Sequence, residues 1–181
     1  MREVMIAGVG TVKFGSFPDI GNYVHATHAI MNALKDADVS WKQVQAAFCG
    51  SVYQGTGSGH QALREIGLSG IPIVNVENAC SSGTSAFRLA YQTIASGLAD
   101  IAIALGFEKL PKGAIPSTAF RRWQLAQGFN VQPANYALET MEYMHKYGAT
   151  IDMISAVTIK NRKHATMNPN ARFQKEVTLE E

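Results

Sequence analysis

Residues 75–86 read Asn75-Val76-Glu77-Asn78-Ala79-Cys80-Ser81-Ser82-Gly83-Thr84-Ser85-Ala86. The apolar run that ends at Val76 predicts a buried strand, and the small residues after a short polar turn predict a helix that begins at Cys80. In the first turn of a helix a thiol lies among unpaired backbone N–H groups at the positive end of the helix dipole, which favours the thiolate and suits the binding of an oxyanion. Cys80 is therefore a candidate nucleophile. The spacing alone supports equally well a buried structural cysteine before a serine-rich helix start.

The segments around this stretch repeat the alternation of strand and helix. Strands are predicted at Val4–Lys13, Gln45–Val52, Ile73–Val76 and Ala99–Gly106. Helices are predicted at Asn22–Ala37, His60–Ile66 and Cys80–Ser96. β-Branched and other apolar residues dominate the strands, whereas apolar or small residues recur at helical spacing in the helices. The first strand is apolar on both faces and is expected in the centre of the sheet. This order predicts an α/β layered domain over residues 1–108.

The chain changes character after Glu108. Residues 109–150 contain several prolines and glycines with little periodicity, which predicts a long loop region or a small subdomain. Helices are predicted at Ala134–Tyr147 and Ile151–Met167, with Thr150 as the cap of the second. Residues 177–181 are typical of another helix start, so we expect either a fragment of a longer protein or a naturally short subunit whose tail docks on a partner.

Composition excludes several classes of protein. The 181 residues are 46% hydrophobic, which suits a packed core, and their net charge is +2 without a basic stripe, so nucleic acid is not the expected partner. Apolar runs such as Ile101–Leu105 fall short of the roughly 20 residues of a membrane span. The N-terminal apolar segment is too short for a signal-peptide core, which predicts a cytoplasmic location. The 2 cysteines are too few for a disulfide scaffold and form no zinc-type pair.

Four motifs together indicate a family. Asn78-Ala79-Cys80-Ser81-Ser82-Gly83 resembles the nucleophile motif of the thiolase superfamily, in the Glu-Asn-Ala-Cys form of the sterol-carrier-protein-type and lipid-transfer-like thiolases, which are acetyl-CoA acetyltransferase-like. The segments 50–64, 98–109 and 143–172 are similar to the family's Gly-x-Val-x-Gln segment, its strand ending in Gly-x-Glu, and the helices that close its first half. The resemblance covers essentially the whole chain.

The resemblance implies the N-terminal half of a thiolase fold: a mixed five-stranded sheet with helices on both faces and an inserted loop region. Residues 109–150 would be that loop region and help to bind coenzyme A, and residues 151–181 would be the closing helix and the link to an absent C-terminal half. Cys80 would take the acyl group of an acyl-CoA as a thioester, in an acyl-CoA C-acyltransferase that cleaves a 3-ketoacyl-CoA with CoA or runs the reverse Claisen condensation. The family's catalytic histidine and its second acid/base group match none of the 5 histidines here.

Coenzyme A and acyl-CoA would be substrates, and the resemblance implies no resident cofactor or metal in this chain. It implies a homodimer or tetramer, formed partly through Ile73–Val76, and, for lipid-transfer-like members, a small OB-fold zinc partner protein. Two alternatives stay open. One is a non-catalytic or half-site subunit of a complex, and the other is a lipid-transfer-like retro-aldolase acting on a sterol or aromatic acyl-CoA. The presence of Cys80 favours thiolysis, because an aldolase needs no acyl-enzyme. An acyl-carrier-protein-dependent condensing enzyme of the same superfamily fits less well.

Three residues of the loop region are candidates for binding coenzyme A. Arg121 and Arg122 carry guanidinium groups that pair with phosphates, and the indole of Trp123 can stack on adenine. An exposed loop with ordinary charges is at least as good an interpretation.

Structural roles are expected for the other residues whose side chains could react or bind a metal. Cys49 lies inside a predicted strand and is expected to be a buried filler. His25 and His28 share a helix face but lack a third ligand of suitable spacing. His60 is expected at an interface or on the surface. Asn78 and Glu108 are expected to shape the nucleophile turn or a dimer contact.

Overall fold

The computed structural model describes residues 2–110, 112–115 and 120–181. Pro111 and residues 116–119, which belong to the expected loop region, lie outside the described residues. The chain divides into two compact units, Met1–Lys109 and Leu110–Glu181. The division of residues 109–181 into a CoA-binding loop region and a linking helix stays a prediction.

The first unit alternates helices and strands. Its elements are α1 (Asn22–Asp36), a short 3-10 turn (Trp41–Gln43), β1 (Ala46–Gly50), α2 (Ser58–Arg64), β2 (Ile73–Val76), α3 (Ser82–Ala95) and β3 (Ala102–Gly106). The strands form a parallel sheet in the order β2-β1-β3. In this register Ala47 of β1 lies opposite Ile73 on one side and Ile103 on the other.

Helices cover both faces of the sheet because the buried central strand, β1, is apolar on both of its sides. Ala47 and Cys49 pack into one apolar cluster with residues of α1 and α2, including Ile30. Ala46 and Phe48 alternate with them and pack on the other face against α3. The predicted α/β layered fold, with helices on both faces, is therefore confirmed.

The expected number and relative direction of the strands were wrong. Within the described residues the sheet has three strands, all parallel, rather than five in a mixed arrangement. The predicted strand at Val4–Lys13 does not form. Two of its backbone groups are instead bound by side chains of α1: Asp36 accepts from Val9 N–H at 2.8 Å, and Asn32 donates to Thr11 C=O at 2.9 Å.

Two glycines allow the same segment to lie directly on the α1 backbone. A Cβ placed on Gly8 would lie 2.6 Å from Ala33 O, and one on Gly10 would overlap Ala29 O. An apolar cavity of about 610 Å³ remains between this segment, α1, α3 and β3. The segment therefore packs along a helix, although its composition is typical of a strand.

The second unit contains three helices among its described residues, α4 (Arg122–Ala126), α5 (Gln132–Tyr147) and α6 (Ile151–Thr166). Gly148 ends α5 in the left-handed conformation, with φ 67°. Thr150 caps α6 as predicted, since its hydroxyl accepts from Met153 N–H at 3.3 Å. Across the described part of the chain, the helices are too short or too polar to cross a membrane.

Candidate active site

The carboxyl ends of the three strands define one edge of the sheet. Because the strands are parallel, Gly50, Val76 and Gly106 all end there. The chain places β2 on one side of β1 and then crosses to place β3 on the other. In open α/β sheets, ligands bind at the carboxyl edge where the strand order reverses. The loops that leave this edge carry Cys80 and Glu108 and form the candidate site.

Cys80 lies just outside helix α3. The helix begins at Ser82, with Ser81 as its N-cap residue, so the expectation that Cys80 lies in the first helical turn was wrong. The reason is Ala79, whose φ of 45° is left-handed and turns the chain before the helix can begin. Cys80 is exposed at this point. A left-handed alanine costs about 1–2 kcal/mol, so the surrounding contacts must hold it.

We call residues 77–82 the nucleophile turn. The Glu77 carboxylate accepts from Ala79 N–H at 2.6 Å. The Ser82 hydroxyl accepts from Asn78 N–H at 2.8 Å and donates to Ala79 C=O at 2.7 Å. Ser81 N–H bonds to Asn78 C=O at 2.9 Å. At about 0.5–1.5 kcal/mol each, these bonds together exceed the cost of the left-handed alanine.

Three glycines let the start of α3 lie directly on the sheet. A Cβ on Gly50 would lie 2.7 Å from Gly83 N and closer still to the carbonyl group of Ser82. A Cβ on Gly106 would lie 3.1 Å from Gly83 Cα. The nucleophile turn is thus held against the ends of β1 and β3, and a side chain at Gly50 would displace it.

Glu108 holds the turn that follows β1. Its carboxylate accepts from Val52 N–H at 2.7 Å, from Tyr53 N–H at 3.2 Å, and from the side-chain amide of Gln54. The amide oxygen of Gln54 accepts in turn from Asn22 at 2.7 Å. Glu108 therefore shapes the turn at residues 52–54, which neighbours the nucleophile turn at the same edge.

Asn78 lies within the nucleophile turn, as expected. Its side-chain amide donates to the Ser85 hydroxyl at 3.0 Å, which joins the turn to the first turns of α3.

Cys49 is buried, and burial raises the pKa of its thiol to about 12. The protonated thiol is a poor nucleophile. Its surroundings leave no space: a Cβ on Gly59 would lie 2.7 Å from Cys49 Sγ. Cys49 is a packing residue, as predicted.

The surroundings of His25, His28 and His60 differ. His60 is exposed, and its Nδ1 pairs with the side-chain amide of Asn75 at 3.0 Å. The ring of His25 packs on Phe17 at a centroid distance of 4.8 Å, and His28 is exposed. Among the described residues no group of three or more His, Cys, Asp or Glu side chains is arranged to hold a metal ion.

Arg121, Arg122 and Trp123 belong to the second unit, where they are consecutive at the start of α4. All three are exposed, with 62% of Trp123 accessible. The side-chain oxygen of Gln124 accepts from Arg121 N–H at 2.9 Å, and Phe120, which precedes Arg121, is buried. The role of Arg121, Arg122 and Trp123 in binding coenzyme A stays a prediction.

Sequence reasoning missed the contribution of Ser82. Its hydroxyl lies four residues after Asn78 and three after Ala79, a spacing at which serine often bonds back to preceding backbone groups. It also missed the contact of Gly50 with α3. Glycine at the end of a buried strand was the signal, because glycine there often marks a close backbone approach.

Comparison with known proteins supports the likeness of the sequence to one family. Residues 4–180 match the family described as "Thiolase, N-terminal domain". "Benzoylsuccinyl-CoA thiolase subunit BbsB" of Thauera aromatica is 38% identical over 186 residues, which cover 99% of this chain and 48% of that protein. "Sterol carrier protein 2" of Bos taurus is 36% identical over 99% of this chain and 36% of its own length. "Acetyl-CoA acetyltransferase" of Methanothermobacter thermautotrophicus is 33% identical over 100% of this chain and 50% of its own length.

The chain therefore spans between about a third and half of the length of these relatives. Among solved structures, the "Ltp2-ChsH2(DUF35) aldolase" superposes with a TM-score of 0.78 and 24% identity, over 97% of this chain and 47% of that one. That likeness supports the fold.

Proposed function

Because this chain belongs to the thiolase family, which it matches through the N-terminal domain, we propose that it is the nucleophile-bearing part of an acyl-CoA C-acyltransferase. Cys80 is the proposed nucleophile. The single observation that carries the proposal is the exposure of Cys80 in a turn held by hydrogen bonds, at the carboxyl edge of a parallel sheet. Backbone strain held in place by its surroundings is concentrated at functional sites in proteins, and Ala79 supplies such strain immediately before Cys80.

The proposed chemistry is a two-step acyl transfer. The sulfur of Cys80 adds to the 3-keto carbon of a 3-ketoacyl-CoA, and the bond between C2 and C3 then breaks. The electron pair of that bond leaves with acetyl-CoA, which takes up a proton at C2, and the acyl group stays on Cys80 as a thioester. The sulfur of free coenzyme A then attacks this thioester and releases a shortened acyl-CoA, so that Cys80 is regenerated. The reverse sequence is a Claisen condensation.

The groups that move protons in these steps are proposed to lie outside residues 1–181, since the relatives are two to three times as long as this chain. The negative oxygen of the intermediate is proposed to be stabilised by backbone N–H groups near Cys80. Arg121, Arg122 and Trp123 are proposed to bind the phosphates and adenine of coenzyme A, on the strength of their exposure and chemistry.

Intact-mass spectrometry after brief incubation with acetyl-CoA and other short acyl-CoA esters tests the proposal. We expect an acyl adduct that maps to Cys80, is absent in Cys80→Ser, and persists in Cys49→Ala. Any second chain that copurifies is added in a parallel sample. An adduct that forms only with that chain would place the active site between two chains, whereas no adduct in either sample would contradict acyl transfer.

A second candidate is a subunit of a complex that acts together with another chain. The word "subunit" in the name of the relative from Thauera aromatica supports it. The proposed partners are a second thiolase half or an OB-fold zinc protein, and in this setting a retro-aldolase acting on a sterol or aromatic acyl-CoA is the alternative activity. Homo-oligomer formation and the cytoplasmic location also stay predictions.

A further inference from the structure

We propose that Ser82 is a positioning residue, which holds the nucleophile turn so that Cys80 is presented at the edge of the sheet. This inference rests on the proposed role of Cys80. Ser82 is 4% exposed, and its hydroxyl makes two hydrogen bonds to the backbone of the turn. Both bonds are to backbone groups, so Ser82 acts on Cys80 through the backbone of the turn.

The two bonds hold the peptide units on either side of Ala79. Ser82 accepts from Asn78 N–H and donates to Ala79 C=O. The carbonyl group of Ala79 and the nitrogen of Cys80 belong to one planar peptide unit. The Ala79 carbonyl also accepts from the backbone N–H of Ser82 at 3.1 Å, so the hydroxyl adds a second bond there while it also binds Asn78 N–H. Together the two bonds of the hydroxyl help to fix where Cys80 begins and to hold Ala79 at its left-handed φ of 45°.

Capping of α3 does not explain this serine. Ser82 is the first residue of the helix, and its hydroxyl bonds backwards into the turn rather than to the free N–H groups of the helix. The N-cap residue, Ser81, makes no side-chain capping bond. Ser85 also contacts the turn, but it reaches only the side chain of Asn78. The Ser82 hydroxyl is thus placed to stabilise the turn itself.

The first measurement reports the conformation at Cys80 without requiring acyl transfer. Cys80 is alkylated with a trifluoromethyl ketone reagent, mapped by mass spectrometry and observed by ¹⁹F NMR. We expect one resonance in the wild type. In Ser82→Ala we expect a second resonance beside the first, because loss of both bonds shifts the equilibrium between held and released turn by about tenfold or more. Ser82→Thr keeps the hydroxyl and should restore the single resonance.

The matched control is Ser96→Ala. Ser96 follows the far end of α3 and is exposed, and its hydroxyl bonds to Thr93 C=O at 3.1 Å. This variant should show the wild-type resonance. If Ser82 contributes only to stability, Ser82→Ala will unfold at a lower temperature, and the folded variant will keep the wild-type resonance. That result would overturn the proposal.

A double variant keeps the test decisive if Ser82→Ala does not fold. Glycine adopts the left-handed conformation without strain, so Ala79→Gly in the Ser82→Ala background should recover the held turn. A double variant that is folded but still shows the released resonance would contradict the proposal.

Acyl adduct formation is measured on separate, untagged samples and should be slower in Ser82→Ala than in the wild type, in proportion to the fraction of protein that still gives the held resonance. If the wild type shows the single resonance but forms no adduct with or without a copurified chain, the proposed function fails while the positioning role stands. If the wild type forms the adduct and Ser82→Ala forms it at the same rate, the positioning role fails alone.

Discussion

Replacing Gly50 with alanine is expected to destabilise the first unit, because the new Cβ would enter the backbone at which α3 begins. It would lie 2.7 Å from Gly83 N and closer still to the carbonyl group of Ser82. These are backbone atoms, which cannot rotate away as the end of a side chain can. Gly50 also ends the buried central strand, so little movement is available from the other side.

The expected loss of unfolding free energy follows from over-packing, which destabilises cores by about 1–3 kcal/mol. Gly50→Ala should lie at the upper end of that range. Gly83→Ala is the matched control on the facing backbone. A Cβ at Gly83 would meet Gly106 Cα at an ordinary 3.5 Å, and alanine in a helix is favoured over glycine by about 1 kcal/mol. Gly106→Ala should fall between the two, since its Cβ would lie 3.1 Å from Gly83 Cα.

Urea unfolding followed by circular dichroism measures the series, with a change in stability read as a shift of the midpoint at constant slope. The expected order of stability places Gly83→Ala at or above the wild type, then Gly106→Ala, then Gly50→Ala. The reasoning is refuted if Gly50→Ala is as stable as the wild type, or if Gly83→Ala is equally damaging. Either result would mean that α3 does not rest on the end of β1 through backbone contacts.

Two further predictions concern the buried thiol of Cys49 and the exposed carboxylate of Glu108. Because burial raises the pKa of Cys49 from 9.0 to about 12, its contribution to stability is complete below pH 9 and is lost as the pH rises towards 12. The wild type should therefore lose up to about 1.4 kcal/mol more per pH unit than Cys49→Ala in urea unfolding above pH 9, and equal pH profiles would contradict the burial. Glu108→Gln places an amide N–H among three donors and, because Glu108 is exposed to water, should cost only about 0.5–1.5 kcal/mol of unfolding free energy. The control is Glu65→Gln, which loses only an exposed ion pair with Arg64 and should leave the unfolding midpoint unchanged, so equal losses in both variants would show that Glu108 does not hold its turn.

Most helices and strands could be predicted because each carries its own periodicity. The second strand of the sheet has the predicted bounds, Ile73–Val76, and the first helix ends one residue before its predicted end, at Asp36. The cap at Thr150 depends on residues three positions apart and was equally predictable. Contacts within a few residues decide such features, so composition and spacing suffice.

The segment Val4–Lys13 shows where local composition fails. Its residues are typical of a strand, but a strand also needs a neighbour that accepts its backbone hydrogen bonds. Asp36 and Asn32 of α1 bind two of those backbone groups instead. Whether a strand or α1 binds this backbone depends on how α1 lies relative to the sheet. The sequence pattern inside the segment does not determine that position.

By itself, the sequence determined that a candidate nucleophile, Cys80, follows a buried strand and precedes a helix. It also determined that the chain resembles thiolases. Both properties depend on short contiguous motifs. The tertiary structure alone decided that Ala79 is left-handed, that the Ser82 hydroxyl holds the turn, and that the helix rests on Gly50 and Gly106. The physical reason is distance along the chain. The three strand ends that meet at this edge lie 26 to 56 residues apart in the sequence, and packing of helices on both faces of the sheet brings them together.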